Sequence, residues 1–183
     1  MKYLELAMKR GSLEESHMTW QVNLLYTLTK RFRPETIVEL GTGQGGSFYS
    51  FLAGIVENNL GHIYTIDILE KSQTLSEALP DTKFFSKITG DSLSIPDIQN
   101  IDFLFIDSNH DLQFILKEWD KWEKNVKVGG LIFFHDVHWE PYGVKEAVEI
   151  IWKKEKNRFL RLFHLGAQRE GDHCGLEVWI KVA

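Results

Sequence analysis

The stretch Ile37-Val38-Glu39-Leu40-Gly41-Thr42-Gly43-Gln44-Gly45-Gly46-Ser47-Phe48 decides the fold, because a short apolar run ends in an acid and opens into a glycine-dense turn. It reads as strand, loop and helix. Ile37, Val38 and Leu40 suit a buried parallel strand, and the glycines allow a sharp turn and a closer ligand approach than any Cβ would permit. A cofactor is the natural occupant. Gly41-x-Gly43-x-x-Gly46 also satisfies the dinucleotide fingerprint, so NAD stays open at this point.

Toward the amino end, residues 1–33 read as helical with a break at Gly11-Ser12. Met18, Val22, Leu25, Tyr26 and Leu28 recur at helical spacing, and Arg33-Pro34 ends the run. His17, Met18, Trp20 and Gln21 stand at the start of the second helix, where they would form a lid over a site or simply pack. The expected organisation is one domain, with 1–34 as leading helices and 35–183 as the core.

Toward the carboxyl end, strand and helix patterns alternate. A helix over 47–58 leads to His62-Ile63-Tyr64-Thr65-Ile66-Asp67, a second strand that also ends in an acid. In a doubly wound sheet that acid faces the ribose of a nucleoside held over the first loop, so Asp67 is the ribose candidate. A helix over 70–79 closed by Pro80, a third strand over 83–88 and the turn Gly90-Asp91-Ser92 follow, the last able to reach the amino edge of an adenine or to serve as plain turn chemistry. Ile101-Asp102-Phe103-Leu104-Phe105-Ile106 is the fourth strand and delivers Asp107-Ser108-Asn109-His110-Asp111. A helix over 112–125 carries Trp119 and Trp122 as core positions. Val128-Gly129-Gly130 reads as a tight turn before a fifth strand, 131–134, which ends at His135-Asp136. A loop with His138, Trp139, Glu140 and Tyr142 then precedes a helix over 144–156. Strands near 158–164 and 175–182 would close the chain as a hairpin around the polar loop 166–172.

This alternation predicts an α/β fold: three layers, doubly wound, around a mostly parallel sheet. Chemistry then belongs outside the carboxyl ends of the strands, where Glu39, the glycine loop, Asp67, Asp91, Asp107 and His135-Asp136 all fall.

Composition narrows the class of partner. The chain has 183 residues and a net charge of −5, which leaves no basic footprint for nucleic acid or an anionic membrane. Cys174 is the single cysteine and fits a reducing compartment as a passive thiol, and it makes no second metal pair with His173. The first ten residues are too short and too charged for a signal or a membrane span. The expectation is a soluble cytoplasmic protein, for which a homodimer is an allowed assembly.

Glu39-x-Gly41-x-Gly43-x-Gly45, the acid Asp67, Gly90-Asp91 and Phe105-Ile106-Asp107 resemble the successive motifs of class I S-adenosylmethionine-dependent methyltransferases. The run from Phe105 through His110, with Gly129 through Val137 and Gly143-Val144, is similar to bacterial small-molecule O-methyltransferases of the catechol, cephalosporin-pathway and macrolide-sugar type. The resemblance spans 37–182. It implies a Rossmann-like sheet of seven strands in the order 3-2-1-4-5-7-6, with strand 7 antiparallel.

By that resemblance, Glu39, Gly41, Thr42, Gly43, Gly45, Ser47, Asp67, Ile68, Asp91, Ser92 and Asp107 hold S-adenosylmethionine, and the acceptor is a small hydroxylated molecule. In metal-dependent relatives acids at the ends of strands four and five grip a divalent ion, and the matching positions are Asp107, His135 and Asp136. Carboxylates suit magnesium, whereas a histidine among them suits manganese. Asn109 stands where some relatives carry a basic acid and cannot take a proton, so His110 is the first base candidate and His135 the second. The reacting set is therefore His110, Asp107 and His135. Two rivals remain open here: an NAD-binding protein, disfavoured by Glu39 beside the loop and by the lack of a substrate domain, and a non-catalytic binding protein on the same fold.

Overall fold

The computed structural model describes residues 2–12, 20–138, 143–166 and 174–183. Seven strands form one sheet in the order β3-β2-β1-β4-β5-β7-β6, the order that the motif set implies. The chain divides into two compact units, Met1–Asp91 and Ser92–Ala183. No described helix is long and apolar enough to cross a membrane.

In the first unit, α1 (Lys2–Gly11) and α2 (Gln21–Phe32) precede β1 (Thr36–Leu40), α3 (Gly46–Asn58), β2 (His62–Asp67) and β3 (Phe85–Thr89). The three strands are parallel, with Glu39 opposite Thr65 and Asp67 opposite Thr89. β1 is buried almost throughout, as Ile37, Val38 and Leu40 in a parallel strand require. Arg33 ends α2 in the left-handed region at φ 53 and returns its N–H to the Thr29 carbonyl, so the helix stops just before Pro34. The segment before β3 departs from expectation. Residues 70–79 do not form an α-helix; a 3-10 run, Ser76–Phe84, takes the place of its end and continues past Pro80. Proline lacks an amide hydrogen and cannot sit inside an α-helix without losing a bond, and Asp81 after it leaves helical geometry at φ −117.

In the second unit, β4 (Ile101–Ile106) and β5 (Val126–His135) are parallel, and β7 (Leu176–Lys181) runs antiparallel between β5 and the edge strand β6 (Phe159–Leu165). Phe103, Leu104, Phe105, Leu131, Ile132, Phe133 and Phe134 are all buried, each contributing about 1.5–3 kcal/mol by leaving water. Trp119 of α4 (Leu112–Trp122) packs 5.1 Å from Phe159 and 5.7 Å from Trp179. The expected turn at Val128-Gly129-Gly130 lies inside β5, where the register with β4 shifts and Gly129 adopts φ 86. It is a bulge rather than a strand start. α5 (Val144–Glu155) follows, with Gly143 pressed to within 2.6 Å of the Leu112 nitrogen by any Cβ.

Candidate active site

The first unit gathers two acids beneath and beside the glycine loop. Glu39 is fully buried; Ser47 donates to its Oε1 at 2.6 Å, and Thr65 donates to Oε2. Because Thr65 spends its one hydroxyl proton on Glu39, the 2.7 Å contact between Thr42 and Thr65 runs from Thr42 to Thr65. This relay ties the loop to the sheet. Asp67 lies on the open side, where Oδ2 accepts from the Thr42 and Gly43 amides at 3.1 and 3.2 Å, and Oδ1 accepts from Leu69 at 2.8 Å. Lys71 stands 3.7 Å away.

The loop glycines are needed for different reasons. Gly43 has φ 50 and open space where a Cβ would stand, whereas Gly45 has φ 87 and would press against Thr74 and Tyr49. Of these two, Gly43 presents a bare cradle to a ligand. Ile68, beside it in sequence after Asp67, is 73% exposed, an apolar surface free to cover a flat ring. The cradle and the outward carboxylate fit a nucleoside; Glu39, Thr42 and Ser47, all buried, fit the framework of the loop rather than its lining.

Asp91 closes the first unit half-buried. Ser92 opens the second and is placed differently from expectation: it is buried, and its hydroxyl donates to Glu118 instead of facing a ligand edge. Ser108 donates to the same Glu118 oxygen at 2.6 Å. Glu118, fully buried on α4, escaped the sequence reading. Its signal was an acid at position 118 within the apolar stripe of 115, 119 and 122.

At the ends of β4 and β5, register places Ile106 beside Phe134, so Asp107 and His135 are neighbours. Oxygens of Asp107 and Asp136 and a ring nitrogen of His110 lie within 4.8 Å of one another. His110 Nε2 is 2.8 Å from Asp136 and 4.0 Å from Asp107. His135 also meets the acids, as expected, with Nδ1 at 3.0 Å from Asp107 and 3.2 Å from Asp136, but it is buried, 3% exposed, where His110 is partly open. Asp136 has φ 57, a left-handed conformation that aspartate tolerates better than most residues. Cys174, buried, also hydrogen-bonds the Asp136 carboxylate.

Charge follows from this packing. Hydrogen bonds to Asp107 and Asp136 raise His110 to about 9 against opposing burial, so it holds a proton at neutral pH. Burial works against a charge on His135, but the two carboxylates outweigh it and hold its pKa well above the ordinary value. Burial would raise Asp136, yet His135, His110 and Cys174 together hold it far below the usual carboxylate range. Two carboxylates and an imidazole, with a second imidazole oriented behind them, make a donor set that fits a divalent cation, in which the metal takes the place of the shared protons. A cleft of about 690 Å³ opens beside this cluster, lined by Ser108, Asn109, His110, Asp111 and Glu146. Asn109 accepts from the Asp111 amide and Asp111 caps α4 at Phe114, so both serve the loop. His138 is partly buried, and burial lowers its pKa. His17, Met18, Trp139, Glu140, Tyr142 and His173 lie outside the described residues.

A family profile described as a methyltransferase domain matches residues 38–137. The chain belongs to this family. No curated protein matches this methyltransferase domain in sequence. Among solved structures, it is similar to the O-methyltransferase TomG from Streptomyces achromogenes, involved in tomaymycin synthesis and solved in complex with SAM: 17% identity, 100% of this chain and 91% of that chain, TM-score 0.69. An O-methyltransferase from Bacillus cereus in complex with SAH is 18% identical over 98% of this chain and 89% of its own, with a TM-score of 0.69. The N-methyltransferase NodS from Bradyrhizobium japonicum WM9 is 14% identical over 93% and 99%, with a TM-score of 0.68. These likenesses establish the methyltransferase fold. Since they include nitrogen as well as oxygen acceptors, the acceptor atom must be argued from the site.

Proposed function

We propose that the chain is an S-adenosylmethionine-dependent methyltransferase acting on a hydroxyl of a small molecule, with assistance from a divalent cation. The observation that carries this reading is the convergence of Asp107, His110 and Asp136 beside an open cleft. A neutral amine needs no such cluster, whereas a hydroxyl must be made a better nucleophile before it attacks. One domain over 1–183 would perform the reaction, with 35–183 as its core and the leading helices of 1–34 as a lid.

The residues divide the work. Asp67 accepts from the ribose hydroxyls, Gly43 lets the backbone approach the nucleoside, Ile68 covers the base and Asp91 reaches its amino edge. Glu39, through Ser47 and the Thr42-Thr65 relay, keeps the loop in shape when the pocket is empty or filled. Bound S-adenosylmethionine supplies a methyl group on a sulfonium leaving group, which the acceptor oxygen displaces in line. Asp107, His110 and Asp136 would hold the cation, whose chemistry there would be to lower the pKa of the acceptor hydroxyl. His135 orients Asp107 from behind. His110 does not act as a base in the cation-free cluster, because it already carries a proton at neutral pH.

Formation of S-adenosylhomocysteine from S-adenosylmethionine, measured against catechols and sugars with manganese, magnesium or a chelator, tests the reading. Turnover of a hydroxylated acceptor that the chelator abolishes is the expected result. Turnover indifferent to chelator removes the cation from the mechanism, and failure to bind S-adenosylmethionine removes the assignment.

A further inference from the structure

Glu118 is an acid that the reacting cluster does not use. It stands on α4 inside the second unit and is fully buried, a placement that is costly for a carboxyl group unless donors reach it. Its Oε1 accepts from two hydroxyls, those of Ser92 and Ser108. Each serine has one proton to give and gives it here.

The two serines come from different loops. Ser92 directly follows Asp91 after β3, and Ser108 directly follows Asp107 after β4. On a helix, residues at i, i+3 and i+4 share a face, and positions 118, 121 and 122 turn that face to the first of these loops. The Trp122 indole N–H donates to the Ser92 carbonyl at 3.2 Å, and the Lys121 ammonium donates to the Leu93 and Ile95 carbonyls at 3.0 and 2.5 Å. These residues of 92–95 lie in turns and bends, where no sheet ladder fixes the backbone. Lys121 and Trp122 grip that loop by its main chain; Glu118 joins the second loop to it. An apolar side chain at 118 would extend the buried stripe of Ile115, Trp119 and Trp122 without the cost of burying an acid. Packing alone therefore does not call for a glutamate.

We propose that Glu118 is a positioning residue for the transfer site: one buried carboxyl oxygen, through the Ser92 and Ser108 hydroxyls, fixes the chain directly after Asp91 and directly after Asp107. The inference rests on the functional reading above, in which Asp91 reaches the adenine and Asp107 would help to hold the cation. Its two serines divide the effect. Ser92 serves the cofactor, Ser108 serves the cation, and Glu118 serves both.

Calorimetric titration with S-adenosylmethionine, manganese binding followed by electron paramagnetic resonance, and Tm test this in Ser92→Ala, Ser108→Ala, Glu118→Ala and Glu118→Gln. Ser92→Ala is expected to weaken S-adenosylmethionine about fivefold and to leave manganese unchanged. Ser108→Ala should weaken manganese about tenfold and leave S-adenosylmethionine unchanged. Glu118→Ala should weaken both, and Glu118→Gln, which keeps an oxygen acceptor for the hydroxyls, should recover most of each. A merely structural Glu118 would lower Tm in these variants while both affinities stay at wild-type values, and that result overturns the assignment. Loss of both ligands in either serine variant overturns it equally, and the serine variants decide the matter if Glu118→Ala does not fold. If wild type binds S-adenosylmethionine but not manganese, the cation reading falls and the assignment stands or falls on the cofactor affinities of Ser92→Ala and Glu118→Ala. A wild-type chain that binds neither ligand overturns the functional reading and this inference with it.

Discussion

At the glycine-loop end, Glu39 and Asp67 accept hydrogen bonds from hydroxyls and backbone amides, whereas at the β4 and β5 end Asp107 and Asp136 face two imidazoles. Both regions concentrate negative charge where strands end, yet the second satisfies it with imidazoles whose proton affinity the carboxylates raise. Neutral donors hold the loop in one shape over a wide pH range. Protonated imidazoles hold the cluster only while the protons remain, or until a cation displaces them.

The largest effect should come from breaking the second region. Asp136→Asn keeps the left-handed backbone but leaves the buried His135 and the half-buried His110 without their shared carboxylate. A loss on the order of 3 kcal/mol in urea unfolding is expected, together with loss of methyl transfer. Glu39→Gln removes an acceptor from two buried hydroxyl donors in the first region and should cost about 1–3 kcal/mol, with no change in its effect between pH 6 and 9. If instead its cost varies over that range, the contrast between the regions fails.

A pH series on chelated protein sharpens the comparison. The folded pKa of His110 is raised to about 9, so above the unfolded value the native state retains the proton longer. Its contribution to stability is present below about 6.5 and is lost as pH rises through 9. A fall in Tm of about 3 °C over that interval, flattened in His110→Gln, is expected. Saturating manganese should reverse the slope, because the cation competes with those protons. The smallest effect belongs to Lys71→Gln. Three backbone amides already hold Asp67, so losing a cation 3.7 Å away should change stability by less than about 0.5 kcal/mol in the same urea assay.

Sequence was most informative where the hydrophobic pattern is local. β1, β4 and β5 are each dominated by apolar residues, Ile37-Val38, Phe103 to Ile106 and Leu131 to Phe134, and each delivers its polar residues at the expected edge. The segment 70–79 carried a helical pattern too weak to withstand Pro80, and tertiary packing chose a 3-10 run. In the second region, the sequence placed Asp107, His110, His135 and Asp136 together but not their order of approach, because which imidazole faces outward depends on rotamers and on α5. Cys174 touching Asp136 was out of reach. That contact joins residues nearly forty positions apart through the pairing of β5 with β7, which no local pattern encodes. Glu118 was within reach, as a lone acid in an apolar stripe.

Gly54 carries no chemistry of its own, yet its missing side chain sets the spacing of α2 and α3. A methyl group added there would act as a wedge about two helical turns into α3. Optimisation of helix propensity at this buried glycine would strengthen one helix in isolation while prying it away from its neighbour. An absent side chain thereby governs how closely two helices lie over the sheet's first strand.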